Sequence, residues 1–264
     1  MRYTEKFSKS LHDKGTFLCV GIDPDPDLLP DGFAQTPEGI LAFVRELIAV
    51  TRDITPAYKF NLAFFERWGW QGWLVLETAL SLIPDDILTV GDAKRGDIGN
   101  SSKFYARALH ETLNFDSVTL SPYLGSDSIS PFIENESKGA FVLCVTSNPT
   151  GRELQEYGGD SPLYLKTADM VQGLNSRENL GLVMGATKPG QLTELRAQYP
   201  LLPFLIPGVG KQGGAEEIAL ESCRSCGQGL INVSRSISFP ADGKFPENVR
   251  QAAETYARRF KIEG

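Results

Sequence analysis

Eight short apolar runs, each followed by a longer stretch with helical spacing, constrain this chain more than any other feature. They lie at 17–22 (FLCVGI), 57–60 (AYKF), 87–90 (ILTV), 117–120 (SVTL), 140–145 (AFVLCV), 181–184 (GLVM), 203–206 (PFLI) and 229–233 (GLINV). Most are apolar without interruption, which suits strands buried on both faces of a parallel sheet; a half-exposed antiparallel strand would alternate. Between them, 37–53, 73–82, 101–113, 162–174, 191–199 and 214–222 space apolar residues as helices do, and 247–260 forms a last helix. In the first of these, Ile40, Val44, Leu47 and Ile48 share a face, while Glu38, Arg45, Glu46 and Arg52 fall elsewhere. Eight β-then-α units in 264 residues, 33 apiece, match the count and length of a (β/α)8 TIM barrel. A doubly wound open sheet is the competing α/β form that periodicity leaves open. No Pro/Ser-rich linker or composition shift divides the chain, so the expectation is a single domain over 1–264 with an N-terminal helical extension.

Charge narrows the partners. Lys and Arg number 26 against 33 Asp and Glu, a net −7, and a surface that neutralises many phosphates needs the opposite excess. No nucleic acid and no membrane are therefore expected as partners, and any anionic ligand must be held locally. The segment MRYTEKFSKSLHDKG lacks the apolar core of a signal peptide, and no stretch approaches the apolar length of a membrane span. A reducing cytoplasm is the expected compartment.

In parallel α/β folds chemistry collects at the carboxyl ends of the strands, and polar residues gather at those positions here. Asp23 follows the first run, Lys59 and Asn61 end the second, and Asp92 and Lys94 end the third. Ser121, then Thr146, Ser147 and Asn148, follow the fourth and fifth; Lys188 follows the sixth, and Ser234 with Arg235 the eighth. The densest segment is GDAKRGDIGNSS at 91–102. If the third strand continues through Lys94, its period of two puts Asp92 and Lys94 on one face, and Asp97 lies just past the turn that Gly96 permits. A solvated ion pair is the plain alternative, but the segment directly continues the buried run ILTV, and charges there need a reason.

The second informative segment is PGVGKQGG at 207–214, which precedes the helical run AEEIAL. Its glycines let backbone N–H groups approach a ligand, and the next helix offers unpaired donors to an anion. Arg235, after the following strand, adds a bidentate fork, and barrel phosphate sites form from the loops after strands seven and eight. Together these residues predict a phosphate monoester ligand.

Other candidates fall to structural roles. Cys223 and Cys226 form a lone C-x-x-C at a helix end, which supports neither a zinc site nor a redox pair, and Cys19 and Cys144 belong to the core. His12 and His110 lie away from every strand end. The aromatics Phe64, Phe65, Trp68, Trp70 and Trp73 suit packing under a loop or at a subunit contact. Lys103, Arg107, Arg258 and Arg259 read as solvated helix faces.

Taken together, these residues resemble the orotidine 5′-monophosphate decarboxylase family, which performs the last step of de novo UMP synthesis. The family pattern D-x-K-x-x-D-I stands here as DAKRGDI at 92–98, and the form with Arg after the Lys is similar to the bacterial type 2 subgroup. The likeness continues through GIDPDP at 21–26, YKFN at 58–61, SPYLG at 121–125, TSNP at 146–149, PGVGKQGG at 207–214 and NVSRSI at 232–237. Two departures, Gly-Asn-Ser-Ser after Ile98 and Ser121 in place of a frequent Asn, keep small polar groups.

The resemblance implies a (β/α)8 barrel that works as a homodimer on a small-molecule nucleotide, releasing UMP and CO2 with no metal or organic cofactor. It implies that Asp23 and Lys59 touch the ribose hydroxyls, and that Lys59 joins Asp92, Lys94 and Asp97 in a charged row. Asp97 would reach across the dimer interface into the neighbouring site. Ile98 would be among the substrate-binding residues, Ser147 would bond the pyrimidine, and Gln212 and Arg235, with the backbone of Gly213 and Gly214, would hold the 5′-phosphate.

The chemistry of the row agrees. Decarboxylating orotate leaves an electron pair at C6 that no ring position delocalises, and an ammonium held there stabilises the charge and then donates a proton. Lys94 is the expected donor. Asp97 either stresses the ground state or positions the ammonium, two roles the sequence leaves open. Two other functions also stay open. A sugar-phosphate barrel such as 3-keto-gulonate-6-phosphate decarboxylase or hexulose-phosphate synthase shares D-x-K-x-x-D but uses Mg²⁺; Ser147, Gln212 and the Lys59 row fit a nucleotide better. A degenerate barrel that only binds a nucleotide monophosphate is the non-enzyme form, and the presence of all four charged residues speaks against it.

Overall fold

The computed structural model describes residues 1–209 and 214–263. Its eight strands are β1 (Leu18–Ile22), β2 (Ala57–Asn61), β3 (Leu88–Arg95), β4 (Ser117–Leu120), β5 (Gly139–Val145), β6 (Leu180–Met184), β7 (Phe204–Pro207) and β8 (Gly229–Val233). Each pairs in parallel with the next, and β8 pairs with β1, so the sheet closes into a barrel and the open doubly wound alternative is excluded. Every apolar run forms one of these strands, with ends moved by at most one residue except at β3. That strand continues through the charged segment to Arg95.

The continuous apolar runs are buried because helices cover the outside of the barrel while side chains fill its inside; β1, β6 and β8 are buried at every position. Close approach at the closing seam depends on Gly21. A Cβ there would lie 1.9 Å from the Ser234 Oγ, so only glycine lets the end of β1 meet the end of β8.

The covering helices follow from caps and apolar stripes. In Pro37–Thr51, the Thr36 hydroxyl accepts the Gly39 N–H at 3.3 Å and Pro37 occupies the first turn, where its missing N–H costs nothing. The helix buries Ile40, Phe43, Val44, Leu47 and Ile48, and Phe43 stacks on Phe239 with ring centroids 5.2 Å apart. Burial stabilises each such side chain by about 1.5–3 kcal/mol, and Phe43→Ala would cost about 3–5 kcal/mol. The last helix, Glu247–Arg259, buries Val249, Ala253 and Tyr256 at helical spacing. Lys103, Arg107 and Arg258 are exposed, as expected. Arg259 is not a solvated charge: it pairs with Glu216 and lies over the Tyr256 ring, tying the last helix to Gly214–Cys226.

The N-terminal helix, Tyr3–Lys14, closes the base of the barrel. It buries Tyr3, Phe7 and Leu11, with Phe7 edge-on to Phe141 at 6.3 Å. Lys6 reaches Asp116 at 2.7 Å, and Asp116 also accepts the Thr89 N–H at 2.8 Å. The far end of the chain returns to the same place. Thr16 bridges to Lys261, and the Ile262 N–H donates to the Gly15 carbonyl at 2.9 Å.

The helix expected over 101–113 divides into an α-helix, Gly99–Arg107, and a π-turn, Ala108–Thr112. The wider turn accompanies a buried His110, whose Nδ1 lies 3.1 Å from the Phe115 carbonyl and whose pKa burial lowers to about 4. Among the aromatics after β2, Phe65 enters the core whereas Trp70 is exposed. No helix among the described residues is long and apolar enough to cross a membrane.

Candidate active site

Parallel register brings the functional side chains to one end of the barrel. Gly21 pairs with Lys59, Lys59 with Val90, and Asn61 with Asp92, so Asp23, Lys59 and Asp92 emerge at neighbouring strand ends. Lys59 is buried, with 4% of its surface exposed, and its Nζ lies 3.2 Å from Asp92 Oδ2 and 3.7 Å from Asp23 Oδ1. Burial pulls the Lys59 pKa down, but the Asp23 and Asp92 carboxylates outweigh it, and the net shift is upward. Lys94 approaches the other oxygen of Asp92, Nζ to Oδ1 2.6 Å, and its side chain is half exposed at the mouth.

Asp92 is therefore gripped from both sides. Burial favours its neutral form, but Lys59, Lys94 and the hydrogen bonds from Lys94 and Thr119 prevail, lowering its pKa from 3.8 to about 2. It is an anion across the working range of most enzymes. The Thr119 hydroxyl donates to Asp92 Oδ1 at 2.9 Å and accepts the Lys94 N–H at 3.0 Å. Lys94 has φ 49°, a left-handed conformation uncommon outside glycine and frequent at functional sites.

Asp97 stands apart from this row. Among the described residues it forms no ion pair, and its Oδ1 accepts the Ile98 N–H at 2.8 Å. Within one chain the row is Asp23, Lys59, Asp92 and Lys94. Asp97 lies past the end of β3, as the sequence implies, and β3 itself bulges between Gly91 and Arg95. Ile98 is 58% exposed on the rim.

The remaining rim residues lie on the later loops. Ser147, just past β5, is exposed, and its carbonyl accepts from the Thr187 hydroxyl. A Cβ on Gly208 would lie 3.8 Å from the Ser147 Cβ, so the loops after β5 and β7 meet there. Gly214 opens the helix Gly214–Cys226. Arg235, one residue removed from the end of β8 by Ser234, is exposed. Gln212 and Gly213 lie outside the described residues.

Two participants were not singled out from the sequence. Thr119 sits in the run SVTL, where threonine reads as an ordinary strand former and Ser117 offers a second hydroxyl, so nothing local marks it out. Glu66, from a short helix after β2, pairs with Arg95 and so braces the residue next to Lys94. Arg95 also donates to the Ala93 carbonyl at 2.8 Å.

An exposed ammonium resting on a buried carboxylate that a second ammonium neutralises, at the carboxyl end of a closed (β/α)8 barrel, defines a barrel enzyme equipped to stabilise negative charge on a substrate atom. Residues 16–244 match the family model described as orotidine 5′-phosphate decarboxylase / HUMPS family. A Dehalococcoides mccartyi protein named orotidine 5′-phosphate decarboxylase is 45% identical, over 98% of this chain and 100% of its own. The solved Leishmania donovani OMP decarboxylase superposes with a TM-score of 0.86 at 36% identity, covering 98% of this chain and 97% of that one. The Leishmania donovani UMP synthase gives 0.87 at 37% identity, over 98% of this chain but 56% of its own. The chain belongs to the orotidine 5′-phosphate decarboxylase family, and it is an enzyme of the lyase class.

Proposed function

We propose that the chain decarboxylates orotidine 5′-monophosphate to UMP and CO2, the last step of de novo pyrimidine biosynthesis, without a metal or organic cofactor. The observation that carries this reading is the Lys94 ammonium at the barrel mouth, 2.6 Å from Asp92, with Lys59 buried behind the same carboxylate. As CO2 departs, the electron pair left at C6 faces Lys94, which stabilises it and then protonates the carbon. Asp92 fixes the ammonium in place, and Lys59 keeps Asp92 from being an uncompensated buried charge.

In this reading Asp23 and Lys59 receive the ribose hydroxyls, Ile98 and Ser147 contact the nucleotide, and Ser147 bonds the pyrimidine. Gln212, Arg235 and the backbone of Gly213 and Gly214 hold the 5′-phosphate. The grip lies away from the reacting carbon, so its binding energy serves to orient the base and hold the loops closed. Asp97, unpaired within its own chain among the described residues, serves the neighbouring site of a homodimer. Arg95 after Lys94 favours the bacterial type 2 subgroup. The four free cysteines suit a reducing compartment, and the cytoplasm is the proposed location.

The family model also spans sugar-phosphate enzymes, so the test must separate the two. Loss of orotidine 5′-monophosphate is followed spectrophotometrically with EDTA present. Undiminished turnover supports the reading; activity that vanishes in EDTA and returns with Mg²⁺ favours a metal-dependent sugar-phosphate reaction instead.

A further inference from the structure

We infer that Thr119 is a positioning residue for Lys94 and Asp92, its single hydroxyl holding the bulged end of β3 in the shape that lays the ammonium on the carboxylate. The inference rests on the decarboxylase reading for its kinetic consequences and on geometry for its substance.

The register of β3 against β4 changes at this point. Gly91 pairs with Val118 and Arg95 with Leu120, so Asp92, Ala93 and Lys94 on β3 face Thr119 alone on β4. A regular ladder cannot serve that excess of backbone groups, and side-chain partners must take over. The Thr119 side chain does so. Its oxygen accepts the Lys94 N–H at 3.0 Å and its proton goes to Asp92 Oδ1 at 2.9 Å, the same oxygen that receives the Lys94 Nζ at 2.6 Å.

These bonds form a closed ring: Lys94 main chain to Thr119, Thr119 to Asp92, and Asp92 back to the Lys94 side chain. The hydroxyl has one proton and two lone pairs, and the ring uses the proton and one lone pair. Thr119 is 1% exposed, so water does not stand ready to replace it. Lys94 is held at φ 49°, a conformation that persists where neighbouring contacts over-determine it, and the N–H bond to Thr119 is such a contact. Freed of that bond, the backbone that aims the ammonium at Asp92 is no longer held, and only the ion pair itself opposes its escape into solvent.

Valine copies the shape of threonine and its preference for strands but strands the Lys94 N–H and one Asp92 lone pair. Serine keeps the hydroxyl and loses only a methyl. Thr119→Val should therefore lower kcat by about 10–100-fold while UMP affinity changes by less than about twofold, the range found when a group supporting a reactive residue is removed. Its acidic limb of log kcat should move to higher pH, because Asp92 loses a hydrogen bond that favours its charged form. Thr119→Ser should stay within about threefold of wild type with the limb unmoved.

Geometry is checked without turnover. In the ligand-free protein the Lys94 amide should lose protection from hydrogen exchange in Thr119→Val and keep it in Thr119→Ser. Thermal melts and far-UV circular dichroism establish that each variant is folded; if the valine variant does not fold, Thr119→Ala supplies the same comparison. Folded Thr119→Val with wild-type kcat, or an unchanged Lys94 amide, overturns the inference. Equal losses in the serine and valine variants also overturn it, since they would mark a packing role. A wild-type protein that leaves orotidine 5′-monophosphate untouched refutes the decarboxylase reading instead, and the amide measurement then still decides the positioning role.

Discussion

Replacing Lys59 by methionine keeps most of the buried stem and removes the ammonium that two carboxylates share. In the native protein Asp92 is lowered from 3.8 to about 2, because Lys59 and Lys94 overcome the burial that would raise it, which corresponds to about 2 kcal/mol favouring the ionised, folded state. That contribution is present above the unfolded value of 3.8 and is lost as pH falls through about 2. In Lys59→Met, Asp92 keeps Lys94 and Thr119, but Asp23 Oδ1 is left buried with no partner among the described residues. Breaking a buried ion pair costs about 3–5 kcal/mol. The lower end applies, since Asp92 retains one ammonium and the Asp23 side chain is 24% exposed, so a loss of about 3 kcal/mol is expected at neutral pH.

The pH dependence distinguishes this cause from simple loss of packing. In the variant Asp92 loses one of the two ammoniums that hold its pKa down, so the penalty for its charge is greatest where it must be ionised and fades as it protonates. Urea unfolding at fixed protein concentration should show the full deficit near about pH 7 and a much smaller one near about pH 4. A deficit under about 1 kcal/mol at neutral pH, or one that does not change with pH, refutes the reasoning.

The other expectations concern the site and the base of its neighbouring helix. Lys94→Ala should abolish turnover while UMP still binds in a calorimeter; near-normal turnover would remove Lys94 from the role of proton donor. Arg235→Ala should weaken UMP binding by roughly 10–100-fold, the worth of a charged hydrogen bond, and leave uridine binding unchanged, whereas equal losses for both ligands would deny it the phosphate. Mixing inactive Asp97→Ala and Lys94→Ala subunits in equal amounts should restore about a quarter of wild-type activity, because half the dimers are hybrids with one intact site. No recovery contradicts the shared site. His110, lowered by burial from 6.5 to about 4, is neutral when folded, so stability should fall by about 3 kcal/mol as pH drops through that window. The slope should flatten in His110→Phe; an unchanged slope assigns the acid sensitivity elsewhere.

The eight strands were legible because burial on both faces demands runs with almost no polar residue, and such runs are short, separate and easy to count. Asp92 and Lys94 were found as a pair by assuming a regular strand, and they are a pair, yet the geometry is a bulge with Lys94 in a left-handed conformation. The right neighbours were reached through an approximate backbone. Asp97 was read only as lying past the third strand, and it does lie two residues beyond the end of β3. Thr119 was invisible: its partners are 25 and 27 residues away in sequence, and local pattern carries no trace of them. The π-turn at Ala108–Thr112 escaped likewise, because a stretch of helical composition does not announce one wider turn.

The two ends of the chain meet at the base of the barrel, where Thr16 bridges Lys261 and the Tyr3–Lys14 helix fills the opening, opposite the mouth that holds Lys94. A polypeptide appended at either end would stand clear of the route by which a nucleotide enters. A second catalytic unit can therefore be joined to such a barrel without any change to its chemistry, and a new pair of ends can be opened elsewhere once the old pair is linked.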